Sequence, residues 1–212
     1  MAGLALAGVL RLINLHSENP PQFSAYTSMV YVGVTVFAAV AFMRAGIPVR
    51  RFGFESSFKP VRYLTLAAMG VGLIQLLGFV LDPLLEWVFG ESRELERFSG
   101  VAGSLTEFLR LMALNWTVAA FGEELVFRIL LLRGIAFALG NSRSSFGIAL
   151  VAQAVLFGLV HAYQGPAGIV GAAVNGLVFG GLTLAARGSI WPAAIAHGSS
   201  NTIGILALYW AE

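Results

Sequence analysis

The sequence predicts an all-α fold, a polytopic integral membrane bundle of about six transmembrane helices (six to eight at the outside) around a polar intramembrane cavity. Three observations predict it. Only 11% of the residues are charged while 58% are apolar, and the mean hydropathy is +0.81. A soluble domain carries about 25% charged residues, and a surface that poor in charge cannot face water. Apolar stretches near the length that a helix needs to cross a hydrocarbon core also recur along the chain. Finally, strongly polar side chains recur inside those stretches at helical spacing. A charge in hydrocarbon is costly unless paired or hydrated, so such residues need a reason to be there.

Taken in order, MAGLALAGVLRLINLHSENPP lacks a basic leader region and is interrupted by Arg11. It reads as a short interfacial or partly inserted helix ending before Pro20-Pro21, in preference to a cleaved signal peptide. Residues 24–43 carry no charge and fit one span, and residues 63–81 fit a second, ended by Asp82-Pro83. The stretch 105–139 is too long for one perpendicular helix; it is either one tilted or kinked helix or two segments meeting near Gly122. Residues 146–162, 167–186 and 190–210 supply three more spans.

Loop charge orients them. Loop 44–62 holds Arg44, Arg50, Arg51, Lys59 and Arg62 against Glu55 alone, while the next loop holds Asp82, Glu86, Glu91, Glu94 and Glu96 against Arg93 and Arg97. Arg143 and Arg187 fall where alternation returns to the basic side. The positive-inside bias therefore puts loop 44–62 in the cytoplasm. No internal repeat or linker divides the chain, which reads as a single transmembrane domain over residues 1–212 with a motif-bearing core at 105–205. A net charge of +2 without a basic stripe argues against a nucleic-acid partner. The absence of cysteine excludes a disulfide framework, a thiol nucleophile and a cysteine metal site.

The polar residues inside the apolar stretches are Gln75, Asn115, Glu123, Glu124, Arg128, Gln153, His161, Asn175, His197 and Asn201. Glu124 and Arg128 stand i,i+4 with the acid first, the favourable order for a pair. Glu123 then points about 100° round the helix from Glu124. Asn115 lies two turns before Glu123, a position more typical of interhelical glue than of a ligand. Gln153 and His161 share one stripe, and His197 and Asn201 share another. Three segments can thus turn polar faces to one interior space. A carboxylate beside an imidazole can hold and deprotonate a water, and an imidazole with a carboxamide offers N–H donors to an oxyanion. Together they describe hydrolysis of an acyl bond without a covalent nucleophile.

Two other chemistries stay open on the residues alone. Glu123, His161 and His197 include enough N and O ligands for zinc, although HExxH spacing is absent. A Glu/His chain can relay protons in a transporter, although no inverted repeat is visible. Ser199 and Ser200 beside His197 form no recognisable triad, and GxSxG is absent.

Glu123-Glu124-x-x-x-Arg128, Phe157-x-x-x-His161 and His197-x-x-x-Asn201, in this order and each in an apolar helix, resemble the CPBP family. These are the CAAX protease and bacteriocin-processing proteins, also called Abi-type or type II CAAX prenyl endopeptidase-like. The resemblance covers about residues 105–205. It implies a metal-independent glutamate intramembrane protease in a prokaryotic plasma membrane, acting without a cofactor on a membrane-associated, CAAX-type protein or peptide. It further implies that Glu123 is the base that activates water, assisted by His161, and that His197 and Asn201 stabilise the oxyanion. Glu124, Arg128 and Phe157 would support them. Relatives that act as immunity proteins imply a non-proteolytic alternative on the same fold. One departure is Ile129, where the family often has glycine after the motif arginine; it implies wider local packing.

Overall fold

The computed structural model describes residues 59–211 together with Gly33, Val36, Phe37, Val40 and Arg44, which are helical and exposed. The N-terminal helix, the span at 24–43 taken as a whole, and most of loop 44–62 lie outside the described residues. Those described are helical, with no strand among them.

Helix α1, Pro60–Phe89, starts on a proline whose fixed φ suits a first turn. It ends where Gly90, at φ 74°, turns left-handed and returns its N–H to Glu86 O. The second span does not stop at Asp82-Pro83: Pro83 is accommodated inside the helix. Proline removes one backbone donor, and neighbouring groups in a bundle can absorb that loss. At 1.5 Å per residue α1 is about 45 Å long, well beyond a core of about 30 Å.

A 3-10 turn, Glu96–Val101, leads to α2. Ser104 caps α2 by accepting the Glu107 N–H, and Glu107 suits the positive end of the helix dipole. The long stretch is one unbroken helix, so there is no break at Gly122. It runs through Leu105–Leu114 in α form, Asn115–Glu123 and Leu125–Arg133 in the wider π form, and Gly134–Ala138 in α form again. The Thr117 hydroxyl donates to Ala113 O at 2.6 Å, competing for the carbonyl that an α-turn would use. Wide turns of this kind cluster at functional sites.

Helix α3, Arg143–Val160, opens with a reciprocal capping box between Ser142 and Ser145. His161 closes it, and a 3-10 turn, Ala162–Gln164, passes to α4, Gly165–Ala185. Helix α5, Trp191–Tyr209, follows a tight loop. The antiparallel α3–α4 pair packs through glycine: a Cβ on Gly158 would sit 2.5 Å from Ile169 O, and one on Gly176 would sit 3.1 Å from Ala154 Cα. Close approach through small residues is how apolar helices associate where lipid removes the hydrophobic drive. A core of Phe127, Phe157, Phe179, Ala67, Ala193 and Ala196 joins α1 to α5.

Three of the described helical stretches, Pro60–Phe89, Arg143–Val160 and Ala162–Ala185, are long and apolar enough to cross a membrane by length and composition. The bundle has two chemically distinct ends. Arg62 donates to Ala185 O at 2.7 Å and Arg133 to Gly188 O at 2.6 Å, so those arginines share an end with Arg143 and Arg187. At the opposite end, Glu94 N donates to Gln164 O and Gly103 N to Tyr209 O, which fastens the acidic loop over the start of α4 and the end of α5.

Candidate active site

The two adjacent glutamates sit at the junction of the two π segments of α2, both buried. Glu124 is grasped by the guanidinium one turn on: Arg128 Nε donates to Oε2 at 2.7 Å and Nη2 to Oε1 at 3.1 Å. This two-pronged geometry is the strongest form of the pair. The third arm of Arg128, Nη1, donates to Gln153 Oε1 on α3. Gln153 spends its own N–H groups on Leu150 O and Gly176 O, at 2.9 and 3.0 Å. Glu124, Arg128 and Gln153 are each 0% exposed, so three helices are pinned by a fully dry polar network. The faces of Phe157, Phe179 and Phe127 surround the guanidinium, with centroids 5.1, 5.6 and 5.8 Å from Cζ.

Glu124 has a second client. His197 Nδ1 lies 2.9 Å from Glu124 Oε1, across 73 residues of sequence, and the ring stacks on Phe179 at 4.6 Å. A carboxylate oxygen accepts, so Nδ1 carries the proton. The remaining nitrogen, Nε2, can then donate only when the ring holds both protons as an imidazolium. That refines the expectation from sequence, in which His197 offered an N–H with no condition attached.

His161 is fixed in the same manner by a different acceptor. Its Nδ1 lies 2.7 Å from Phe157 O, and a carbonyl only accepts, so the proton is on Nδ1 and Nε2 presents a lone pair. Phe157 packs against both rings, at 4.7 Å from His161 and 5.8 Å from His197, and edge-on to Phe127 at 4.9 Å. It is the packing residue that spaces the two imidazoles. Tyr163 lies 5.7 Å from His161, ring to ring, and within electrostatic range of Glu123. Asn201, half-buried, stands one turn past His197 on α5.

The three sequence segments therefore converge: Glu124, Arg128, Phe157 and His197 touch directly, and His161 and Glu123 flank them. Asn115 acts as the glue its type suggests, donating to Gly198 O at 2.9 Å and to Thr202 Oγ1 at 3.2 Å, which ties α2 to α5 beside His197. Gln75, by contrast, stands on the exposed face of α1. Ile129 is buried against Ile190, Phe121 and Leu125. Sequence reasoning places Gln153 on the His161 stripe but misses its service to Arg128; the signal is a lone glutamine in an apolar helix. It also misses Tyr163 and the rim arginines, which lie outside every motif. Among the described residues no group of three or more His, Asp or Glu side chains is placed to hold a metal ion.

Residues 105–203, which contain all three motifs, match the family described as type II CAAX prenyl endopeptidase Rce1-like. Over that stretch, somewhat under half of its length, the chain is similar to an Rce1-like domain. The match is consistent with the CPBP resemblance of the three motifs and supports a membrane protease of the CAAX class. Searches of curated proteins and of solved structures returned no match. The matched stretch runs from α2 into α5, and α1 packs on it through Gly70, where a Cβ would lie 2.6 Å from a Leu182 methyl.

Proposed function

We propose that the Rce1-like domain hydrolyses a peptide bond of a membrane-associated, CAAX-type protein or peptide with a glutamate-activated water and no metal. Glu123, with the lone pair of His161 Nε2, takes a proton from water, and the resulting hydroxide adds to the scissile carbonyl carbon. The oxyanion is received by His197 Nε2–H and the Asn201 carboxamide. Collapse of the tetrahedral intermediate breaks the C–N bond, and the proton held at Glu123 or His161 passes to the leaving amine. Water is thus divided between a new carboxyl end and a new amino end.

The observation that carries this reading is the Glu124–His197 contact. Glu124 stabilises the imidazolium that an oxyanion donor at Nε2 requires, while Arg128 and Gln153 hold Glu124 in place. The two histidines are therefore biased to opposite duties by what each Nδ1 touches: a neutral carbonyl for His161 and a carboxylate for His197. A preorganised donor in a dry site acts without reorganisation when charge develops. The same reading has about six spans around a polar cavity, in a prokaryotic plasma membrane with loop 44–62 cytoplasmic.

The test is Glu123→Gln, purified and reconstituted beside the wild type. Cleavage of a prenylated CAAX-type peptide is expected to fall by about 10²–10⁴-fold, the range for loss of a general base. The melting temperature should stay near that of the wild type. Equal cleavage rates would remove Glu123 from the mechanism, and loss of activity on chelation with specific rescue by zinc would replace the metal-free route.

A further inference from the structure

The rim of the site carries two guanidinium groups for which the hydrolytic step itself has no use. Arg97, in the 3-10 turn that leads to α2, lays its Cζ 4.0 Å over the face of Tyr163. Its Nε is buried with no hydrogen-bond partner, and no carboxylate pairs with it among the described residues. Arg93, four residues earlier in the same loop, reaches across α4 at Gly171, where a Cβ would lie 2.3 Å from its Nη2. It shares Asp82 at 3.3 Å, an exposed pair of modest strength. Both arginines lie within electrostatic range of His161 and of Tyr163. Glu94, in the same loop, rests its carboxylate against Gly165.

A half-buried guanidinium with an orphaned N–H is costly unless an anion completes it. Accepting the hydrolytic reading above, we propose that Arg97, with Arg93 behind it, receives the C-terminal carboxylate of the peptide substrate. Distance allows this assignment: Arg97 lies 4.0 Å from the Tyr163 ring and that ring 5.7 Å from His161, so the guanidinium and the imidazole are no farther apart than about three extended residues reach. A carboxylate at Arg97 therefore lies within a few residues of a scissile bond beside His161. Arginine is the side chain suited to the task, because its planar fork matches a carboxylate and its face stacks on an aromatic ring. A lipid phosphate is the competing anion. Arg97 leans inward on Tyr163, on the side of the site, which favours the peptide.

The experiment uses the full chain in phosphatidylcholine liposomes and one prenylated fluorophore–quencher peptide, synthesised with a free C-terminal acid and again as the C-terminal amide. The wild type is expected to cleave the acid at least about tenfold better in kcat/KM, the gap that one lost charge-assisted contact gives. Arg97→Gln should collapse the acid-to-amide ratio toward one, chiefly through KM, and Arg97→Lys should restore part of it. Binding of both peptides to Glu123→Gln, followed by fluorescence anisotropy, gives the same ratio without turnover. If the wild type binds the acid preferentially but cuts neither peptide, the hydrolytic reading fails and the carboxylate site stands. An acid-to-amide ratio near one in the wild type, or a ratio that Arg97→Gln leaves unchanged, overturns the proposal. So does a response of the ratio to anionic lipid alone, which would assign Arg97 to a headgroup.

Discussion

Two polar regions of this domain lie a few ångströms apart and obey opposite rules. The inner one, Glu124–Arg128–Gln153–His197, is dry and saturated: each hydrogen-bonding arm of Arg128 has a partner, and Gln153 uses its carbonyl and its amide protons. The outer one, His161–Tyr163–Arg97, is half-buried and keeps capacity in reserve, with a lone pair on His161 and an orphaned N–H on Arg97. Saturated networks hold geometry, and reserve capacity binds things. The charges most conspicuous in the sequence, Glu124 and Arg128, are thus suited to positioning. The groups suited to meeting a substrate lie beside them.

Breaking the inner region should have the largest effect on folding. Arg128→Ala would strand Glu124 in a site with 0% exposure, and removal of one member of a buried pair costs about 3–5 kcal/mol. Denaturant unfolding in detergent micelles should register that loss, together with lower yield. A shift below about 1 kcal/mol would mean that water reaches Glu124, and the contrast between dry and wet regions would fail.

An intermediate effect is expected where the two regions are mechanically joined. Gly158 lies one turn before His161 and accepts its backbone N–H at 2.9 Å. Gly158→Ala would drive a Cβ to 2.5 Å from Ile169 O and 2.9 Å from the Ala173 methyl, and α4 backbone cannot swing aside as a side chain can. Overpacking of this kind costs about 1–3 kcal/mol. Because the relief must come from sliding α3, cleavage should fall more than stability does. Gly198→Ala is the control: there the added methyl would meet the ring of Trp116, itself partly exposed and able to move.

Much of the inner region was legible in the sequence, and the reason is local. Glu124 and Arg128 are one helical turn apart, and in an apolar helix each would be costly unless it met the other. The helical class followed from composition in the same way. What was not legible depended on distance or on backbone detail. The Glu124–His197 contact joins residues 73 apart, and no pattern within either helix points to the other. The π turns of α2 leave no apolar signature, since nearly all of its positions are apolar under either pitch. Proline ends helices in water, which is why Asp82-Pro83 reads as the end of α1; in a packed bundle the helix runs on to Phe89. Arg97 has the look of an ordinary loop charge, because only the folded chain brings Glu96–Val101 over Tyr163.

The smallest expected effect sharpens the account of the outer region. The Tyr163 hydroxyl accepts from Gln164 Nε2 at 3.0 Å, while the ring face carries Arg97. Tyr163→Phe removes the hydroxyl and keeps the face. A single half-buried hydrogen bond contributes about 0.5–1.5 kcal/mol, so stability should drop by no more than that. The preference for a free C-terminal acid should survive, because the guanidinium remains stacked and aimed. Tyr163→Leu removes the face as well, releases Arg97 from its platform, and should lower that preference toward the value for Arg97→Gln. If instead Tyr163→Phe alone abolishes the preference, the hydroxyl itself grips the carboxylate. Arg97 would then be supplying charge at a distance, and the outer region would be organised around the tyrosine.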